Sequence, residues 1–206
     1  RIERINFEKI IARASSFVDD EAHIAEDRCC AESNIDLYKK RAEFVDNKTL
    51  KIGDETIMGD RILIAAGPRP SAPQIPGLAE VKHITSTAAL RLGKQPKSMI
   101  IIGGGYIATE LGHFYGALGT EITIVEMADT LIAREDKDIA ETFTKLFSEK
   151  YRVLLGYKVE RVAENNGMKK VTVESKEGQR EELTAEALLV SVGRRPNTDT
   201  LKMENT

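Results

Sequence analysis

The chain has 206 residues, 41% of them hydrophobic and 31% charged, the make-up of a globular protein with one large or two modest domains, and not of a disordered or fibrous one. Lys and Arg number 30 against 33 Asp and Glu, a net charge of −3, so nothing in the charge favours nucleic acid or an anionic membrane, and neither is expected as a partner. No apolar run approaches the ~20 residues that cross a bilayer and no signal peptide heads the chain, so a cytoplasmic location is expected. The only cysteines, Cys29 and Cys30, are adjacent. They suit a reducing compartment and read as two ordinary thiols, with no second pair for a zinc site. Arg1 stands first, and the chain ends shortly after a strand and turn, which is expected of a segment of a longer protein.

In chain order, Asn6 can cap a helix whose Phe7, Ile10, Ile11, Ala14, Phe17 and Val18 repeat at helical spacing, with a break expected at Asp19-Asp20-Glu21 and a polar helix resuming from Glu21 to Glu32. From Asn34 the period shortens. Ile35 and Leu37, then Ala42, Phe44 and Val45, then Leu50 and Ile52, then Ile57 predict short antiparallel strands separated by turns. Arg61 to Gly67 predicts a buried strand ending in small residues, and the prolines from Pro68 to Pro76 exclude a helix and mark a domain crossing. After residue 126, Asp136 to Glu149 predicts a helix with Ile139, Phe143, Leu146 and Phe147 inward, and Val153-Leu154-Leu155 a strand. Val159 to Ala163, Met168 to Glu174 and Gln179 to Leu183 then predict a three-stranded meander. Ala187 to Gly193 returns to a buried sheet and leaves through Arg194-Arg195-Pro196-Asn197, a run that repeats the pattern of Ile62 to Pro70.

Between these lies the most informative stretch. Met99-Ile100-Ile101-Ile102 suits a strand buried on both faces and runs into Gly103-Gly104-Gly105-Tyr106-Ile107-Ala108, a form of the dinucleotide fingerprint. Gly103 makes the turn, Gly105 admits a pyrophosphate to the N-terminus of the next helix, and Ala108 keeps helix and strand close. Ile107, Leu111, Phe114, Tyr115 and Leu118 form the apolar stripe of that helix, Gly119 ends it, and Glu121 to Val125 is the second strand. Glu126 arrives about twenty residues after the glycines, where an acid receives ribose hydroxyls. Its carboxylate repels a 2′-phosphate and no arginine lies in Met127 to Ile132, so NAD is favoured over NADP; Ala108 pulls weakly the other way only by its resemblance to similar proteins in which an alanine there often accompanies NADP, and Arg134 is the nearest cation.

Taken with Ala42-Glu43-Phe44, Ala65-Ala66-Gly67-Pro68-Arg69-Pro70, Ile75-Pro76-Gly77, Glu110-Leu111-Gly112 and Val192-Gly193-Arg194-Arg195-Pro196-Asn197, the chain resembles the pyridine nucleotide–disulfide oxidoreductase family, within it the dihydrolipoamide dehydrogenases and mycothione reductases. The resemblance covers nearly the whole chain and implies an α/β fold: a Rossmann-like parallel sheet with helices and a three-stranded antiparallel meander, inserted in a partial FAD-binding α/β domain. Residues 1–69 and 194–206 would form the discontinuous FAD part, and 70–193 the NAD-binding domain. It further implies that Gly103, Gly105, Ile107, Ala108 and Glu126 hold NAD, that Glu110 meets the nicotinamide amide, and that Gly193 permits its close approach. Tyr106 is either an aromatic gate over the flavin or a tyrosine half-packed at the helix start. Ala42, Ala65, Ala66 and Gly67 would line FAD, with Lys40 where a glycine is usual. Arg194 and Arg195 either serve the cofactor or pair with surface acids.

The implied activity is that of a segment of an NAD- and FAD-dependent dithiol/disulfide oxidoreductase passing hydride between NAD(H) and flavin. The resemblance also implies a small-molecule or protein-bound disulfide or dithiol as partner, and a homodimer that the full-length protein would form through a domain absent here. The family's FAD glycine motif, its C-x-x-x-x-C pair and its His-Glu pair have no match in this chain, so no catalytic residue is assigned to it; His23, His83 and His113 read as surface or helix-end residues, and the segment alone is expected to be inactive and to retain little FAD. The alternatives are a flavin-dependent NAD(P)H oxidase or reductase without a redox disulfide, and a non-catalytic NAD-binding module.

Overall fold

The computed structural model describes residues 5–206. The elements in order are α1 (Phe7–Ala31), β1 (Ala42–Asp46), β2 (Thr49–Ile52), β3 (Glu55–Met58), β4 (Pro68–Pro70), α2 (Ser86–Ala89), β5 (Ser98–Ile102), α3 (Tyr106–Ala117), β6 (Glu121–Glu126), α4 (Lys137–Ser148), β7 (Arg152–Leu155), β8 (Tyr157–Asn165), β9 (Met168–Ser175), β10 (Arg180–Ala185), β11 (Ala187–Val190) and β12 (Arg194–Pro196). The chain divides into two compact units, residues 5–15 with Pro70–Gly193, and Ser16–Arg69 with Arg194–Thr206.

The first unit has three layers. Its middle is a four-stranded parallel sheet in the order β11-β5-β6-β7, in register from Ile100 to Leu188 on one side and to Thr123 on the other. Alternate residues of these apolar strands serve opposite faces, as a sheet covered on both sides requires. Met99, Ile101, Ile122, Ile124 and Leu189 meet Ala108, Leu111 and Tyr115 of α3 and Phe147 of α4. Ile100, Ile102, Val125, Leu188 and Val190 meet Val162, Val171, Val173 and Leu183 of a separate antiparallel sheet, β10-β9-β8. That meander turns at Asn166 and Gly167, both with positive φ, the geometry of a tight hairpin.

Three expectations change here. The first turns of α1 belong to this unit and not with residues 16–69: Phe7 and Ile11 are buried in its core, the Phe7 ring 5.7 Å from that of Tyr115. Asn6 does cap α1, its Oδ1 accepting the Lys9 N–H at 2.9 Å, but the helix continues through Asp19-Asp20-Glu21. Acidic residues alone do not stop a helix, and the Ser16 hydroxyl reaches Asp20 one turn on at 3.2 Å. On α4 Phe147 is buried and Phe143 packs against the same core, as expected, but Ile139 and Leu146 are exposed and the other buried positions are Ala140 and Thr144.

The second unit holds the antiparallel sheet β1-β2-β3, with Phe44, Thr49 and Ile52 buried. The C-terminal segment is fastened to β1: the Phe44 N–H donates to the Leu201 carbonyl at 2.8 Å and Asn205 Nδ2 to the Phe44 carbonyl at 2.7 Å. Ile35 and Leu37 lie in no strand. The stretch from Arg61 to Gly67, expected as a buried strand, is exposed along most of its length, Leu63 by 91%. An apolar run becomes a buried strand only with neighbours to pair and cover it, and among the described residues none of its members lies in a strand. Beyond it, β4 and β12 pair as a two-stranded ribbon.

Candidate dinucleotide site

At the carboxyl end of the parallel sheet β5 turns into α3 through Gly103, Gly104 and Gly105, and each glycine has a different reason to be one. Gly103 has φ 99°, and a Cβ there would lie 2.7 Å from the Ser191 carbonyl oxygen, so the turn and the residues after β11 touch backbone to backbone. A Cβ on Gly104 would lie 2.8 Å from Leu131 Cδ2 and 2.9 Å from the Glu126 carboxylate. Gly105 is exposed, and a Cβ there would meet nothing within 4 Å. It is the N-cap of α3, and no side chain caps that end, so the first N–H groups of the helix are left for an anion.

Glu126 closes the far side. As the last residue of β6 its carboxylate accepts the Gly104 N–H, and through its other oxygen the Ala128 N–H at 2.7 Å. An acid anchored in this way keeps a fixed position at the rim of the turn. Ala108 is fully buried in the core, and a Cβ on Gly112 would come 3.3 Å from Ile101 Cδ1, so small residues let α3 lie close on the sheet. Ile107 is half-buried on the same core. Tyr106 is 60% exposed, and Glu110, one turn further, is exposed too. Gly193 has φ 129° with free space around it, and its carbonyl accepts the Ser71 N–H at 2.9 Å. The structure thus brings Gly103, Gly105, Tyr106, Ile107, Ala108, Glu126 and the 191–193 segment to one end of one sheet.

The residues expected to line a flavin lie in the other unit. Ala42 opens β1, half-buried and opposite Ile52. Ala65, Ala66 and Gly67 are exposed; Gly67 has φ 65° and open space around it. Asn197 holds this stretch, Nδ2 donating to the Ala66 carbonyl and its own N–H to the Gly67 carbonyl, each at 2.9 Å. Asn197 Oδ1 accepts from Arg69 at 2.9 Å, and Arg69 also pairs with Asp199, which holds the Asp199 carboxyl below its ordinary value. Small side chains, a left-handed glycine and an exposed edge are compatible with close approach of a planar group. Arg194 donates to the Pro68 carbonyl at 2.9 Å, so its head group serves the ribbon.

Among the described residues the other titratable groups form no second centre. His113 Nδ1 lies 3.3 Å from the Tyr151 hydroxyl and His83 Nδ1 lies 3.1 Å from the Val81 carbonyl. Cys29 and Cys30 are free thiols. Among the described residues no three His, Cys, Asp or Glu side chains gather as for a metal ion, and no helix is long and apolar enough to cross a membrane. Spacing alone did not reveal Leu131, Ile132 and Ser191, which act on the turn through backbone atoms and packing.

A family model described as pyridine nucleotide-disulphide oxidoreductase matches residues 7–206. A mercuric reductase from Lysinibacillus sphaericus is 40% identical over 173 residues, covering 84% of this chain and 32% of that protein. A dihydrolipoyl dehydrogenase from Staphylococcus aureus is 37% identical over 179 residues, covering 84% and 37%. The solved HOCl-induced flavoprotein disulfide reductase RclA from Escherichia coli superposes with a TM-score of 0.85 at 30% identity, over 98% of this chain and 46% of that one. The chain spans about a third of the length of the curated relatives it matches.

Proposed function

The chain belongs to the pyridine nucleotide-disulphide oxidoreductase family, and from that premise we propose that it is the pyridine-nucleotide-binding part, with a portion of the flavin-binding part, of an FAD-dependent dithiol/disulfide oxidoreductase. Gly103, Gly105 and Ala108 hold the pyrophosphate at the start of α3, with Gly105 leaving room and the helix N–H groups donating. Glu126 takes the ribose hydroxyls, and NAD is the dinucleotide it prefers. Glu110 and Tyr106, exposed on α3, face the nicotinamide half, with Tyr106 as a gate, and Gly193 admits it closely. Ala42, Ala65, Ala66 and Gly67 lie against FAD. The bound nucleotide and flavin supply hydride transfer, and this chain supplies binding and orientation. The mercuric and dihydrolipoyl relatives match at comparable identity, so neither substrate is assigned.

The observation that carries the reading is the anchored carboxylate of Glu126 beside an open, uncapped helix start. Titration of the chain with NADH and NADPH tests it. NADH binds more tightly, and Glu126→Arg shifts the preference towards NADPH by about tenfold or more, the scale of a single charge-assisted hydrogen bond. Unchanged selectivity in that variant would remove Glu126 from the site.

A further inference from the structure

Between β6 and α4 the backbone of Ile132 has φ 44°, a left-handed conformation that crowds a β-branched side chain. Nothing in the dinucleotide fingerprint asks for it. The Ile132 N–H donates to the Gly104 carbonyl at 2.8 Å. The buried Leu131 side chain fills the place a Gly104 Cβ would take. The Leu131 N–H donates in turn to Thr144 Oγ1 on α4 at 2.9 Å, and that hydroxyl donates to the Ala140 carbonyl at 2.6 Å. Gly104 is therefore held at all three of its positions: its N–H by Glu126, its Cα by Leu131 and its carbonyl by Ile132.

The peptide joining Gly104 to Gly105 is planar and trans, so its carbonyl and its N–H point in opposite directions. Fixing the Gly104 carbonyl on Ile132 turns the Gly105 N–H away from the 131–132 segment. We propose that Ile132, with Leu131 and Thr144 behind it, is a positioning residue that aims the Gly105 N–H at the pyrophosphate. The strained backbone is maintained because relaxing it would let this peptide rotate. The inference rests on the dinucleotide reading of the turn and adds to it a strap from a segment outside the glycine motif.

The test uses the 206-residue chain, titrations with NADH and NADPH, and amide NMR spectra with hydrogen exchange. Ile132→Pro deletes the donor and forbids the positive φ; Thr144→Val, which deletes only the oxygen that holds Leu131, serves if the proline variant does not fold. Each raises the Kd of the preferred dinucleotide at least tenfold, shifts the Gly105 amide resonance of the ligand-free chain and, in Thr144→Val, abolishes exchange protection of the Ile132 N–H. Thr144→Ser, which keeps the oxygen, restores all three relative to Thr144→Val. Dinucleotide binding within twofold of wild type in Thr144→Val, with the Gly105 amide unmoved, overturns the strap alone. If the wild-type chain binds neither NADH nor NADPH, the dinucleotide reading fails, and the strap's role fails with it.

Discussion

Leu188, Leu189 and Val190 are buried in one unit, and Ile62, Leu63 and Ile64 of the other unit have nearly the same composition and lead into a similar glycine, arginine and proline run. The first three pair with β5 in parallel register and are covered on both faces. Among the described residues no strand pairs with the second three, and Leu63 is 91% exposed. Both runs carry the same hydrophobic demand, but among the described residues only the first has strands that meet it. The contrast separates what an apolar pattern asks for from what its surroundings provide.

The largest expected effect tests this contrast directly. Leu189→Ala should lower stability by about 2–5 kcal/mol, since it removes a fully buried side chain from a packed sheet, whereas Leu63→Ala should stay within about 0.5 kcal/mol. Chemical denaturation of the two variants measures both, and a comparable loss at Leu63 would mean that the second run is covered in solution.

The glycines give the next largest difference. Gly103→Ala places a Cβ against the Ser191 carbonyl at φ 99°, which should cost about 2 kcal/mol or more. Gly67→Ala meets only the conformational penalty of its φ of 65°, about 1 kcal/mol. Equal losses in thermal unfolding would show that the Gly103 contact is easily relieved.

The smallest effect concerns pH. The Tyr115 hydroxyl donates to the Ala89 carbonyl at 2.6 Å, and burial pushes its pKa up to about 12. The folded value lies above the ordinary one, so its contribution to stability is complete below about pH 10 and is lost as the pH rises towards 12. Tyr115→Phe should flatten that alkaline arm of the stability curve, and an unchanged arm would assign it to the lysines.

These contrasts also explain how far the sequence could be read. The parallel unit, its meander and the glycine turn with Glu126 were legible because each has a local signature: continuous apolar strands, Asn-Gly and Glu-Gly turns, and a fixed spacing from glycines to acid. On α4 Phe143 and Phe147 were legible but the exposure of Ile139 and Leu146 was not, because helical period defines a stripe and not whether Ile139 or Ala140 lies on its inner edge. The exposure of residues 61–67 depends on partners that no local pattern records. The left-handed Ile132 has no signature at all, since residue type argues against that conformation and what holds it is a pair of backbone hydrogen bonds, its N–H donating to the Gly104 carbonyl and its carbonyl accepting the Glu135 N–H.

The ribbon of β4 and β12 has a consequence for how such a chain can be cut and rejoined. Outgoing and returning strands lie side by side, and the Ser71 N–H meets the Gly193 carbonyl at 2.9 Å, so the span Pro70–Gly193 begins and ends at almost the same point. A module whose two ends coincide adds little closure entropy to the loop that accepts it. A short splice at the ribbon would therefore release the span without rethreading either piece, but a cassette that keeps its core must also carry the first turns of α1, where Phe7 and Ile11 are buried.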